Sequence, residues 1–185
     1  MAIKPLHVND WLLENLLVFA TAIVMVGSYR WFQFTNFSYA MFTVFLTLHL
    51  LGAHYTYAET PVGFWLQDWF GWQRNHYDRI VHFSFGLLLA FPLREELLRQ
   101  PKVKRSWSYF LAVALVLAAS AIYEVIEGAA ALIVAPELGT AFLGTQGDQW
   151  DSQKDTFLAF AGSVVAMAIT WLWVKINGPL IASES

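Results

Sequence analysis

From Trp107 to Val134 the chain carries two charged side chains, Glu124 and Glu127, in an otherwise apolar run. No other feature constrains the fold as much. A helix of about 20 apolar residues crosses the hydrocarbon of a bilayer with its backbone groups satisfied internally, which no extended or irregular segment can do alone. Four further segments follow the pattern, and helices are expected over Trp11 to Tyr29, Phe37 to Ala53, Tyr77 to Leu98 and Ser152 to Lys175. The segment from Tyr77 to Leu98 holds Arg79, His82 and Arg94, so it crosses a bilayer only if its ends carry polar residues into protein-lined space. The fold class read from this pattern is all-α: an integral membrane bundle of about five transmembrane helices.

Composition agrees with that reading. Charged residues make up 14% of the chain, against about 25% in soluble domains. Nine Trp and fifteen Phe suit the two faces of a bilayer, where aromatic rings concentrate. No polar stretch is long enough to fold apart, so residues 1–185 read as a single polytopic membrane domain. The first apolar run lacks a small-residue cleavage site after it and is expected to be a retained helix.

Several function classes are excluded. With no cysteine, thiolate metal sites, disulfides and cysteine nucleophiles are impossible. No basic tract follows a nucleic-acid backbone, so nucleic acid is not an expected partner; membrane lipids are. The sequence has no P-loop, dinucleotide fingerprint, His-Glu-x-x-His or Gly-x-Ser-x-Gly, and no motif surrounds Ser84 or Ser120.

Two connections have their own character. Ala58 to Gln73 contains Phe64, Trp65, Trp69, Phe70 and Trp72, and is expected to lie along the headgroups between the second and third helices. Ala135 to Trp150 contains Gly139, Gly144 and Gly147 and reads as a turn-rich loop feeding the last helix. Its Gly144 to Trp150 portion is expected to bring Gln146 and Asp148 toward the third and fourth helices, with Asp151 or Ser152 capping the helix that follows.

The basic residues set an expected orientation. The link Arg99 to Arg105 holds four of the eleven Lys and Arg, which places it in the cytoplasm by the positive-inside rule, and with it the C-terminus. Eleven of the fourteen acids then fall on the outer side: Asp10, Glu14, Glu59, Asp68, Asp78, Glu124, Glu127, Glu137, Asp148, Asp151 and Asp155.

Several of these acids lie within helices, where an ionisable group is costly and marks a functional site by default. Residues three or four apart share a helix face. That spacing joins Asp78 to His82, Glu124 to Glu127, and Asp151 to Asp155, with Asp148 one turn earlier. Glu124 lies ~15 Å from the end of its helix at 1.5 Å per residue. No basic residue of that helix pairs with either glutamate. Carboxylates with an imidazole suit a divalent ion: oxygen ligands favour Mg, Ca or Mn, and histidine admits Zn. His82, Glu124, Glu127, Asp148, Asp151 and Asp155 are the expected metal ligands, converging in one outward-opening pocket. Two other chemistries remain open, a metal-free acid–base pair and a proton or cation pathway. His49 and His7 read as structural.

The strings HLLGAHYTYAETPVG, QRNHYDRIVHF, SAIYEVIEG and FLGTQGDQWDSQKD resemble the YjdF-like family of bacterial inner-membrane proteins, over about His49 to Gly162. A weaker similarity runs to VanZ-like proteins, which also join Asp-x-x-x-His on one helix to an acidic residue on the next and an Asp before the last; this chain lacks the Asn that usually follows that Asp. The resemblance implies a small multi-pass inner-membrane protein and no particular reaction.

The expected function is a metal-dependent hydrolase embedded in the membrane and acting on a lipid or lipid-linked substrate at the outer face. In that expectation Asp78, His82 and Glu124 are catalytic. Arg74, Asn75, Arg79, Gln146 and Tyr55 bind substrate, the arginines through an anionic headgroup. The alternative is a non-enzymatic membrane protein whose polar cluster is a structural network or a binding or transport site. Against transport, Ala112 to Ala119 and Val164 to Trp171 are almost wholly apolar.

Overall fold

A computed structural model describes residues 3–134 and 146–181, with the side chains of Asp10 and of 131–134 outside that description. Glu137, Gly139, Gly144 and Glu184 therefore lie outside the described residues. Among the described residues the secondary structure is helical: α1 (Val8–Ser28), α2 (Asn36–Tyr55), a 3-10 turn (Tyr57–Glu59), α3 (Pro61–Phe70), α4 (Tyr77–Leu98), α5 (Arg105–Val134) and α6 (Asp151–Asn177). The protein is a helical membrane bundle.

Four of these helices, α1, α2, α5 and α6, are long and apolar enough to cross a membrane. The fifth expected span, α4, has 22 residues, long enough at about 33 Å, but its charged residues keep it out of that set. The aromatic segment holds α3, whose 10 residues reach about 15 Å, half the thickness of the hydrocarbon core. It is no sixth span. The spanning helices turn large apolar side chains outward: Val24 is 67% exposed, Val125 72% and Ile169 57%. Such faces suit lipid rather than water.

The termini of the elements follow from identifiable side chains. Thr35 precedes α2, and its hydroxyl accepts a hydrogen bond from Ser38 N at 3.3 Å, a helix N-cap. Pro61 opens α3, where its fixed φ suits a first helical residue. Gly71 closes that helix with φ 65, a left-handed conformation that glycine adopts without cost. Asn75 Oδ1 accepts from Tyr77 N at 2.9 Å and turns the chain into α4. Asp148 Oδ1 accepts from Trp150 N at 3.1 Å just before α6. At the far end of α6, Gly178 (φ 86) and then Pro179 stop the helix.

The chain forms two compact units. The first comprises Met1–Gln33, Leu46–Val81 and Val125–Asp151; the second comprises Phe34–Phe45, His82–Glu124 and Ser152–Ser185. In the first, Tyr77 is buried and its hydroxyl donates to Leu48 O at 2.9 Å, while Asn75 Nδ2 donates to Thr60 O at 3.1 Å. Gly63 sits against the Asn75 carboxamide with no room for a Cβ. In the second, the core is built largely from small residues, Ala90, Ala112, Val116, Ala159 and Ala166, joined by Phe91 and Met167. Small side chains let helix backbones approach closely, which is how helices associate in lipid, where apolar burial gives no drive. A close backbone approach joins α4 to α6. A Cβ on Gly86 would strike Ala159 O, and one on Gly162 would strike Phe83 O.

Candidate functional site

The α4–α6 contact fixes the polar groups above it. His82 lies one turn before Gly86 on α4, and Asp155 one turn before Ala159 on α6. With those backbones touching, His82 and Asp155 meet: an imidazole nitrogen and a carboxylate oxygen come within 4.8 Å. From α5, Glu124 Oε1 reaches His82 Nε2 at 3.3 Å. His82 and Asp155 are both buried. The Tyr123 ring lies 6.3 Å from the imidazole, centroid to centroid. Ser120, one turn before Glu124 on the same helix, is buried, and its hydroxyl has no hydrogen-bond partner among the described residues. This cluster of one imidazole and two carboxylates belongs wholly to the second unit. Asp78 lies one turn before His82 on the same face of α4.

The first unit holds a second polar group, made by the approach to α4 and the end of the loop before α6. Arg74 Nη2 donates to Asp151 Oδ1 at 2.5 Å, and Arg79 Nη2 donates to Asp148 Oδ2 at 2.5 Å and to Asp151 Oδ1 at 3.3 Å. Gln146 Nε2 donates to Asn75 O at 2.9 Å. These bonds tie Gln146, Asp148 and Asp151 to the 74–79 segment. His76 lies among them, with Arg74 Nε 3.4 Å from its Nδ1. Partial burial, and after it the guanidinium charges of Arg79 and Arg74, hold its imidazole below the usual 6.5.

The structure thus sorts the expected site residues into two groups. His82, Glu124 and Asp155 come together in one unit; Arg74, Arg79, Asp148, Asp151 and Gln146 do so in the other. Glu127 falls in the first unit. The Asn75 side chain is buried and bonded to Thr60 and Tyr77. Tyr55 packs edge-on against His54, with ring centroids 4.6 Å apart.

Two polar networks were not expected from the sequence. In the first unit, buried His49 bonds through Nε2 to Glu14 O at 3.0 Å and through Nδ1 to the Tyr57 hydroxyl at 2.6 Å. The network assigns the proton to Nε2, because Glu14 O can only accept. Burial, then the Glu14 carboxylate, pushes Tyr57 well above the usual tyrosine range, so its hydroxyl stays protonated and donates to Nδ1. In the second unit, fully buried Glu95 accepts from Thr35 N at 2.8 Å, the Thr35 hydroxyl at 2.9 Å, the Ser38 hydroxyl at 2.6 Å and Arg99 Nη2 at 2.5 Å. The one visible signal was the i, i+4 spacing of Glu95 and Arg99.

Long apolar helices and a polar cluster buried among them define a multi-pass membrane protein. Residues 1–176 match the model of the family described as "Predicted membrane protein (DUF2238)", and the chain belongs to that family. It is similar to the "Inner membrane protein YjdF" of Escherichia coli (strain K12), with 39% identity over 158 residues, covering 85% of this chain and 75% of that protein. No solved structure matches the chain. Together, the relative and the helices make this a multi-pass protein of the inner membrane.

Proposed function

We propose that the chain is a metal-dependent hydrolase embedded in the membrane, acting on a lipid or lipid-linked substrate from the outer face. The observation that carries the reading is the His82, Glu124 and Asp155 cluster. The buried His82 imidazole stands 3.3 Å from a carboxylate oxygen of half-buried Glu124 and within 4.8 Å of a carboxylate oxygen of buried Asp155, so three helices bring donors around it. The donor set fits a divalent ion such as Mn or Zn, and less well Mg or Ca, which favour all-oxygen cages. When bound, such an ion lowers the pKa of a water to near neutrality. Asp78, one turn from His82, is the group that takes the proton from the attacking water. Arg74 and Arg79 hold an anionic headgroup, although Arg74 also bridges Asp151, and Arg79 both Asp148 and Asp151. Asn75 secures the turn into α4 in this reading and does not touch substrate.

In the same proposal α4 is the fifth span, α3 lies along the outer headgroups, and the Arg99 to Arg105 link and the C-terminus are cytoplasmic. The charge asymmetry of the connections supports this orientation.

A second reading has its own support. His82 pairs directly with Glu124, and Arg74 and Arg79 pair directly with Asp151 and Asp148. Charges neutralised by the protein itself can form a purely structural network. Glu124→Gln separates the two. Purified variant and wild-type protein are compared for thermal stability and for release of water-soluble product from a phospholipid panel with added Mn²⁺ or Zn²⁺. The hydrolase reading expects a folded variant with product release lost. A variant that mainly loses stability, beside a wild type that releases nothing, favours the network.

A further inference from the structure

A separate cavity of about 250 Å³ opens where α5 begins and α6 ends, within the second unit. Arg94, Arg105 and Lys175 line it together with Ser106, Tyr109 and Trp171, and none of the described lining residues is acidic. Arg94 is 1% exposed, with its guanidinium 4.0 Å from the centroid of the Tyr109 ring. Lys175 places its ammonium 5.0 Å over the Trp171 ring at the rim.

Three basic side chains line one small cavity, and an anion bound there is attracted by all of them. The donors suit a phosphoryl group. Arginine offers a planar fork of N–H donors that matches phosphate oxygens, and lysine adds a point charge. Ser106 adds a hydroxyl. The first turn of α5 starts at Arg105, and the free N–H groups of a helix N-terminus favour an anion. The volume lies just below the roughly 300–1,000 Å³ of drug-sized pockets, which suits a headgroup.

Location points the same way. The cavity sits at the ends of two candidate spans, Arg105–Ala130 and Asp151–Asn177. That is the depth at which a bilayer presents its phosphates. Exposed Trp107, Trp171 and Trp173 occur at the same helix ends, as interfacial aromatics do. Basic pockets between helices at a membrane surface are established hosts for anionic headgroups.

We propose that this cavity binds a phosphoryl anion, supplied by an anionic phospholipid or by free phosphate. The test uses the full chain and the double variant Arg105→Gln, Lys175→Gln; both residues are exposed, so the change spares the core. Thermal unfolding is followed by tryptophan fluorescence in two settings. One is neutral detergent with inorganic phosphate against sodium chloride of equal ionic strength. The other is vesicles of phosphatidylcholine with and without phosphatidylglycerol. The wild type should be stabilised by at least one phosphoryl source, and the variant should bind roughly tenfold more weakly. A shift with phosphatidylglycerol alone assigns the lipid, and a shift with inorganic phosphate in detergent assigns the free anion. A wild type unmoved by both sources, or a variant with an undiminished shift, overturns the proposal.

Discussion

Replacing Gly86 with alanine tests whether the α4–α6 contact holds the polar cluster together. The added Cβ would lie 2.7 Å from Ser163 N and 2.8 Å from the Ala159 carbonyl carbon, where ordinary contacts begin near 3.4 Å. These are backbone atoms, which cannot swing aside, and the Ala159 carbonyl oxygen lies nearer still, so the helices must part by more than about 0.7 Å. Overpacking of this kind costs about 1–3 kcal/mol. Alanine also gains about 1 kcal/mol over glycine inside a helix. Gly128→Ala isolates that gain, because a Cβ there meets nothing within 4 Å. The Gly86 variant should therefore be less stable than the Gly128 variant by about 1–3 kcal/mol, read as chemical unfolding in detergent by tryptophan fluorescence. Because His82 and Asp155 lie one turn beyond the contact, it should also weaken any divalent-ion stabilisation of the protein. Equal stability of the two variants, with ion response intact, would refute the claim that backbone contact positions the cluster.

Three further outcomes follow from the geometry. Glu95→Ala leaves buried donors from Thr35 and Ser38 and the Arg99 charge without their acceptor, and should cost about 3–5 kcal/mol in the same unfolding assay; a loss under about 1 kcal/mol would show that water replaces the carboxylate. His76 is held below 6.5 in the folded chain, so below that value the unfolded chain binds more protons than the folded one. Its contribution is present above 6.5 and lost as pH falls through it; the fall in midpoint temperature from about pH 8 to 5 should be smaller in His76→Gln than in the wild type. Reporter fusions at the Arg99 to Arg105 link should report the cytoplasm, and an external signal would reverse the proposed orientation.

The fold was legible where its signal was hydrophobic and long. The expected bounds of the third helix coincide with those of α4, and the last helix begins one residue earlier than expected, at Asp151. The short helix inside the aromatic segment was not anticipated as a helix, because ten residues offer too little periodicity. At the site, helical spacing exposed what lies on one element. Asp78 and His82 are an example, as is the presence of carboxylates on α5 and α6. Partners on different elements were invisible. Arg79 and Asp148 are 69 positions apart, and Glu95 reads as an ordinary interfacial acid until Thr35 and Ser38 are seen against it. The glycines that bring α4 to α6 gave no warning, since their meaning lies in the backbone they touch.

The metal content of the purified protein tests most directly the proposal that His82, Glu124 and Asp155 hold a divalent ion. Wild-type protein and Asp155→Asn, each exposed to Mn²⁺ or Zn²⁺ and desalted, are compared by elemental analysis beside a thermal unfolding curve that confirms folding. About one bound ion per wild-type chain is expected, with a large loss in a folded Asp155→Asn variant. Wild-type protein that retains no ion, or a variant that retains as much as the wild type, would contradict it.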